Sequence, residues 1–518
     1  MKRLLFAILL ILGITSLVSS CYEDSGNYDY ADVDELKIDT TGVNQSSNYF
    51  TVNLGDTIIV NPTINYAYPE NLSYTWLLMP FPYDTETVGN TTQYPVPDTI
   101  ARSLDLNWIV NVELGSYRYY LEVKDTVLGL SDNIYPNVSN YLNVVAANSF
   151  YALMCLSEYD GNTDIDVYYT PLALIFGGET QMHFYSERSG SMIPGSPNLL
   201  GYSSKGYYYA FTNQEGRRLD ENDYLTMANF DEMFYSSPTL DMQGYEYVSN
   251  QELLINNGKL HVINNAQSND RKFSAAISGD YTAYPFISRK NPYADPSPIA
   301  CVIFDEKSKS FLRYYSGSTS FSKYPAGSGE AFVDANNLPS IPLAIFSYDR
   351  QKTGVVLRDE NGKIALWVYD LMAEDDSDLS GNGSRSKIDL SNCEDIENAT
   401  MFYAETSGSS FHYATDKAIY GFSITSGETT ANKVYDLPEG DEVTCMYSIP
   451  AAGFPTGGRV YWFATWNEAT KNGKIVESEI DPYSGRLDWF WGQMFGLEGP
   501  NPSVTEGFGK IVSMKVGI

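Results

Sequence analysis

Along most of the chain apolar and polar residues alternate in short runs broken by Gly, Pro, Asn and Asp, a period of two that marks strands. Between about residues 35 and 147 the runs YFTVNLGDTIIVNPTINY, LSYTWLLM, SYRYYLEVKD and SNYLNVVA predict an antiparallel β-sandwich. Trp76, in YTWLL, stands where such a sandwich keeps a core tryptophan. From residue 150 onward, apolar runs flank tight turns near residues 161, 215, 258, 308, 361, 426 and 485. Their spacing, about forty to sixty-five residues, is that of one propeller blade. The turns carry Asp-Gly, Asn-Gly and Ser-Gly pairs, which two-residue connections with positive φ demand. The expectation for 150–518 is therefore a seven-bladed β-propeller, making the chain all-β. The last alternating segment, Gly509 to Val516, is expected to pair beside Phe150 to Leu156 and close the ring. No long helical run occurs. One short helix is expected around Asp223 to Phe234, and the Ser/Gly/Asp-rich stretch from Glu374 to Ser386 reads as a solvated excursion.

The first residues set a different pattern. Lys2 and Arg3 precede an apolar run from Leu4 to Val18, too short and too close to the terminus for a membrane span. Small residues, Val18-Ser19-Ser20, then lead into Cys21. This is the arrangement of a lipoprotein signal peptide over 1–20, with Cys21 as the lipidated anchor. Residues 21–34, polar and acidic, read as a tether from the anchor to a sandwich over 35–147 and a propeller over 150–518.

A chain of 518 residues exceeds what one hydrophobic core supports. The formal net charge of −32 argues against nucleic acid or an anionic lipid surface as partner. Tyr outnumbers Phe, 42 to 24, which suits many positions with one wet end. Cys155, Cys301, Cys393 and Cys445 form no C-x-x-C pair and lie in apolar segments, so they are expected as buried thiols.

Catalytic signatures are missing from the sequence. His183, His261 and His412 have no ligand spacing, and no H-E-x-x-H, G-x-S-x-G, P-loop or G-x-G-x-x-G occurs. Asp160 to Asp166 opens like a calcium loop, but no Gly follows Asp164 and no glutamate closes it, so tight-turn aspartates fit better. No cofactor, metal or catalytic residue is therefore assigned. Aromatic residues are the candidates for ligand contact: Tyr207 and Tyr209 of a tyrosine triplet, Trp462, Trp466, Trp489 and Trp491. Packing between blades is the competing role for them. A carboxylate pair in a propeller funnel stays open as the alternative, a surface polysaccharide or peptide hydrolase or lyase, because the sequence does not reveal the separation of its 65 acids.

Two levels of resemblance follow. TWLL together with Gly115-x-Tyr117 in LGSYRYYLEVKD resembles the polycystic-kidney-disease (PKD) type of immunoglobulin-like domain, and a fibronectin-like sandwich shares most of it. With the segment from Cys21 to Tyr30, the DGNTDIDVYY opening and the closing GFGKIVSMKV, the chain resembles the PKD-like family of Bacteroidetes-type lipoproteins. That resemblance implies a surface-exposed outer-membrane lipoprotein beside SusC/SusD-like TonB-dependent importers, where it captures or presents oligopeptide or oligosaccharide. It implies attachment to the membrane through the lipid alone. Glu23 and Asp24 resemble the acidic signal that sends such lipoproteins to the outer leaflet. Asp39-Thr40-Thr41, Asp56-Thr57-Ile58, Asp98-Thr99-Ile100 and Asp125-Thr126-Val127 resemble the O-glycosylation acceptor of such exported proteins.

Overall fold

The computed structural model describes most of residues 37–516. Outside the described residues lie 1–36, 40–49, 55, 82–85, 89–90, 94, 136–140, 146–151, 170–179, 223, 249, 266–269, 289–298, 326–333, 350–351, 360, 373–385, 405–407, 449–458, 489–492, 494–501 and 517–518. The signal segment, Cys21, the tether and nearly all of the Glu374 to Ser386 excursion are among these. The chain forms two compact units, 1–145 and 146–518.

In the first unit the principal sheet runs in the order Phe50–Asn53, Leu142–Val145, Gly115–Asp125, Leu72–Pro80, Asp98–Ala101, with Ser131–Ile134 also on Gly115–Asp125. The pair Thr57–Val60 and Leu106–Ile109 forms a second, small sheet. Alternation is strict where one face is covered: Gly115–Asp125 buries Tyr117, Tyr119, Leu121 and Val123 and leaves their neighbours half-exposed. These side chains meet Ile58, Val60, Leu106 and Trp108 in one core. Trp76 lies at its centre, fully buried, stacked on Tyr119 at 6.2 Å and donating Nε1–H to the Leu104 carbonyl. Tyr117 donates its hydroxyl to the carbonyl of Glu113, 2.7 Å away. That short-range tie pins the entry of the long strand, the device of a tyrosine corner. Gly115, at φ 149°, supplies the backbone that the turn needs. Thr57, Thr99 and Thr126 of the Asp-Thr-apolar sites are exposed, whereas Thr40 lies outside the described residues.

The second unit is a series of small antiparallel sheets, seven among the described residues. Sheet 1 combines Lys510–Val516, Leu153–Tyr159, Asn162–Tyr168 and Ile193–Pro194; sheet 2 runs from Pro197–Ser203 to Thr226–Asn229. Sheet 3 holds Met242–Val248, Gln251–Asn256 and Lys259–Asn264, and sheet 4 runs from Ala283–Ile287 to Ser322–Lys323. Sheets 5, 6 and 7 begin at Ala344–Tyr348, Met401–Ala404 and Asp441–Ser448. Each of the seven expected turns falls in a different sheet. Five join the second and third strands. Those near 426 and 485 join the third and fourth, because the glycine-free turns at 415–417 and 468–471 carry the preceding connection. Asp160 and Gly161 (φ 50° and 80°), and Asn257 and Gly258 (φ 49° and 65°), have both central residues in the left-handed region, the two-residue hairpin geometry.

Middle strands such as Tyr207–Thr212, Gln251–Asn256, Ile299–Asp305 and Ile364–Tyr369 are buried at every position. Both faces of these sheets are therefore covered, and the cores lie between sheets. Ile165 and Val167 meet Leu200 and Tyr208 between sheets 1 and 2. Phe211 meets Leu254 between 2 and 3, and Leu253 meets Ile303 between 3 and 4. Phe304 packs with Val355, Leu366 with Tyr413, and Ile419 with Phe463 across the next three gaps. Trp462 and Ile475 of sheet 7 then meet Leu153 and Met514 of sheet 1. Thus the packing returns to where it began.

The C-terminal strand makes this return possible. Lys510–Val516 pairs antiparallel with Leu153–Tyr159, from Leu153↔Val516 to Glu158↔Lys510, as its alternation predicts. Ser513 Oγ accepts from the Leu200 N–H of sheet 2, and the Val516 N–H donates to the Tyr447 hydroxyl of sheet 7. Lys510 Nζ pairs with Glu442 of sheet 7 at 2.7 Å.

Two short helices of this unit compare differently with the sequence, one expected and one not. The short helix expected around Asp223 to Phe234 is a 3-10 helix of four residues, Phe230–Met233, closed by a capping box between Asn229 and Glu232 and preceded by the strand Thr226–Asn229. A six-residue α-helix, Phe184–Ser189, stands where none was expected.

The chain reaches Lys510–Val516 from Ser503–Phe508, which lies on sheet 7, with only Gly509 between them. A Cβ at Gly509 would sit 2.5 Å from the Glu158 carbonyl oxygen and 2.9 Å from the Tyr159 ring. Gly509→Ala should force this crossing apart, at a cost of about 1–3 kcal/mol and a fall of several degrees in Tm. An unchanged calorimetric melt would contradict the close approach.

Candidate functional site

The four described aromatic candidates, Tyr207, Tyr209, Trp462 and Trp466, are buried, as the competing role of packing between sheets requires. Tyr207, Tyr209 and Trp462 are fully buried, and Trp466 is 7% exposed. Trp462 stacks on Tyr447 and donates Nε1–H to Glu477, 2.7 Å away. Trp466 donates to Glu468 at 2.8 Å. Tyr207 and Tyr209 come together between sheets 2 and 3, while the two tryptophans lie in sheet 7. Trp489 and Trp491 lie outside the described residues.

Tyr207 and Tyr209 turn their hydroxyls onto one buried carboxylate, Glu252. Tyr207 donates to Oε1, Tyr209 to Oε2 at 2.6 Å, Tyr245 to Oε2 at 3.2 Å, and Asn265 Nδ2 to Oε1 at 3.0 Å. The guanidinium groups of Arg218 and Arg271 lie over the Tyr207 ring at 5.1 and 5.5 Å. Burial, then the charge of Glu252, pushes the three phenols well above their ordinary range, so they remain donors. With both oxygens occupied, Glu252 holds two sheets in register and offers no base to a substrate.

A second polar cluster sits on sheet 1. Asp164 and Asp166, two residues apart on one strand, face the same side. Asp164 accepts from the Ser186 N–H at 3.0 Å and from the Ser186 hydroxyl, and its Oδ2 lies 3.3 Å from His183 Nδ1. Asp166 accepts from the His183 N–H at 2.9 Å and from the Tyr159 hydroxyl at 2.8 Å. The two acids thus hold the first turn of the helix Phe184–Ser189 against the sheet. The sequence signal was present in DGNTDIDVYY, but it marked a turn and a helix support at once. Burial raises Asp166 to about 6, although the hydrogen bonds it accepts pull the other way. Among the other histidines, His412 is buried with Nε2 2.8 Å from the Gly485 carbonyl and is lowered to about 4 by burial. His261 directs Nδ1 to the Ser274 carbonyl, 3.0 Å away. The four described cysteines are free, three buried and Cys445 half-buried. Among the described residues no group of three acidic, His or Cys side chains could hold a metal.

An open concavity occurs elsewhere, between sheets 3 and 4. It encloses about 360 Å³ between the strand Lys259–Asn264, the segment 274–278 and the turn 317–319. Ser274 N–H and Ile277 N–H donate to the carbonyls of Val262 and Leu260, fastening that segment along the sheet edge. Ser278 N–H reaches the Thr319 carbonyl at 2.8 Å and closes one end. Val262, Ile277 and Tyr314 line it from buried positions, Asn264, Ser278, Ser318 and Thr319 bring polar groups, and no Asp, Glu, His, Lys or Arg is in its lining. Nothing in the sequence pattern marks this groove, since its small residues read as loop.

An all-β chain of two units, the first with a tyrosine corner and a core tryptophan, is the class that these features define. The PKD-like family model matches residues 21–197. The match runs past the first unit and takes in Asp164, Asp166 and the helix they hold. No curated protein matches the chain. Among solved structures, the N-terminal domain of Nup159 is similar at 10% identity, covering 66% of this chain and 86% of that one, with a TM-score of 0.36. A DUF4784 family protein from Bacteroides caccae is similar at 9% identity over 85% of this chain and 93% of its own, TM-score 0.27. The extracellular domain of a hybrid two component system from B. thetaiotaomicron is similar at 10% identity over 67% and 53%, TM-score 0.31. No helix of the described residues is long and apolar enough to cross a membrane.

Two outcomes test these clusters. Glu252→Ala leaves three buried hydroxyls without their acceptor and should cost roughly 3 kcal/mol or more in urea unfolding, with Glu252→Gln in between. Equal stability of Glu252→Ala and the parent chain would contradict the cage. Asp166 is raised in the folded state, so its contribution is full below about pH 4 and is lost as pH rises through about 6. Asp166→Asn should therefore remove a stability slope of up to roughly 3 kcal/mol across that window. Parallel pH profiles for the two proteins would contradict it.

Proposed function

We propose that the chain is a surface-exposed outer-membrane lipoprotein, anchored through Cys21, that serves a SusCD-like TonB-dependent importer as a binding and assembly component for oligomeric nutrients, peptide or glycan. Its second unit is read as a seven-bladed β-propeller. The cyclic order of inter-sheet cores and the pairing of Lys510–Val516 with Leu153–Tyr159 support that reading. The observation that carries the binding role is the groove between sheets 3 and 4, an open concavity lined by aliphatic, hydroxyl and amide groups. Such a lining can hold a ligand and has no group suited to break it. Asp164 and Asp166, two acids on one strand, are fully buried and occupied by the helix Phe184–Ser189. The PKD-like match over 21–197 supports the placement among exported proteins.

The test is a pull-down from gently solubilised outer membranes through a C-terminal tag, with co-purifying proteins identified by mass spectrometry. Recovery of a TonB-dependent transporter and its lid lipoprotein is expected. Recovery of this chain alone, together with turnover of peptide or glycan by the purified protein, would overturn the proposal.

A further inference from the structure

We infer that the end of the first unit carrying Tyr68, Val127 and Leu128 dips into the interface of a zwitterionic lipid bilayer, a second membrane contact beside the lipid on Cys21. This rests on the anchored reading proposed above. Two segments build that end. Residues 66–71 precede the strand Leu72–Pro80 and 126–130 follow Gly115–Asp125; these strands pair Leu72 with Asp125, so both segments stand at one end of the sheet. Thr126 fastens them together, its N–H and its hydroxyl both donating to the Asn71 carbonyl, at 3.0 and 2.9 Å. Val127, Leu128 and Tyr68 are 70%, 56% and 44% exposed. Glu70 is the one charged residue in the two segments, in a chain whose formal net charge is −32.

Three observations select a bilayer as the occupant. The first is where the chain comes from. Lys37 pairs with Asn65 and Asp39 with Thr63, antiparallel, so the chain ahead of Lys37 enters beside Tyr66. Residues 21–36 reach at most about 55 Å, which keeps this end near the surface that holds the lipid. The chain leaves the unit at the other end: Val144 lies across from Gly115, at the far end of the strand Gly115–Asp125, about 34 Å from Asp125. Second, the backbone is prepared for a medium without water. The N–H groups of Val127 and Leu128 donate to Asp125 Oδ1 at 2.7 and 2.8 Å, and that of Gly129 donates to the Asp125 carbonyl at 3.0 Å. With Thr126, four successive amides are satisfied inside the turn, as an apolar medium requires. The Tyr66 hydroxyl donates to Asp125 Oδ2 at 2.7 Å, so the carboxylate that shapes the turn is itself buried and occupied. Third, two aliphatic side chains beside a tyrosine suit the boundary between acyl chains and headgroups, where a phenol keeps its hydroxyl wet. The net charge opposes an anionic surface, and a nearly uncharged tip needs no countercharge, which leaves zwitterionic headgroups.

The experiment places the full chain, isolated with its lipid, in vesicles of phosphatidylcholine and phosphatidylethanolamine whose acyl chains carry doxyl quenchers. A nitrobenzoxadiazole fluorophore is attached at Leu128→Cys or at Ile109→Cys. Ile109 is 61% exposed and stands across from Thr57, at the end where Leu54 N–H donates to the Val145 carbonyl. The parent chain, whose four described cysteines are buried or half-buried, supplies the background, and thermal melts verify that each variant folds. Quenching at 128 should exceed that at 109 at least about threefold, and Val127→Asp should abolish the difference. Equal quenching at the two positions, in a lipidated chain that floats with the vesicles, would overturn the contact and leave the anchor standing. A difference that survives Val127→Asp would trace insertion to the fluorophore and overturn the contact as well. A label at 128 that stays in water on vesicles but is shielded in native outer membranes would assign this end to a protein partner, again overturning the inference. A chain whose intact mass lacks lipid and that does not float would overturn the anchored reading itself.

Discussion

A small sheet buried on both faces has no outside and must find two neighbours. That constraint governs the second unit. Strands such as Ile299–Asp305 and Ile364–Tyr369 carry apolar side chains on both faces, and no single sheet of this size can cover itself. Each core therefore belongs to a pair of sheets, and a linear stack would leave two faces wet. Trp462, Ile475, Leu153 and Met514 join the two ends of the series. The last strand, not the local sequence of either sheet, makes that joint, because Lys510–Val516 stands in sheet 1 while the chain before it lies on sheet 7.

Polar groups inside such packing must be fully satisfied or they destabilise it. Glu252 meets this requirement with three tyrosines and Asn265, and Asp164 and Asp166 meet it with the first turn of a helix. Both arrangements specify which elements meet, and both consume the chemistry that the residues would otherwise offer. The heavy use of tyrosine follows from the same need: a large ring fills the gap between sheets while its hydroxyl answers a buried acceptor. The groove between sheets 3 and 4 differs in kind. Among the described residues it lies where the segment 274–278, not a fourth strand, runs beside Lys259–Asn264, and its hydroxyl and amide groups border an open concavity.

Much of the strand pattern was legible in the sequence. Trp76 and the Gly115-x-Tyr117 turn identified the core and corner of the first unit, and Asp160-Gly161 and Asn257-Gly258 identified hairpins whose φ values match the turn type. Turn chemistry built on glycine also misled: the turns at 415–417 and 468–471 have none, so the pattern slipped by one hairpin in sheets 6 and 7. The aromatic residues could not be sorted, because a tyrosine between two sheets and a tyrosine on a rim look alike until both faces of the strand are known. The helix Phe184–Ser189 is held by aspartates on another element, a support that periodicity within six residues cannot reveal. The groove depends on the segment 274–278 lying beside Lys259–Asn264 without forming a strand, and a local pattern has no sign for that.

The most direct test of this account is hydrogen–deuterium exchange on the chain truncated after Phe508, read by mass spectrometry at the strands of sheets 1, 2 and 7. If the last strand closes the cycle of packing, amides of Leu153–Tyr159 lose protection first, and those of Pro197–Ser203 and Asp441–Ser448 follow as their cores open. Sheet 4, three sheets away, should retain the most. Full protection of Leu153–Tyr159 in the truncated chain would contradict the central claim, for it would mean that sheet 1 is held without the strand assigned to join it to its neighbours.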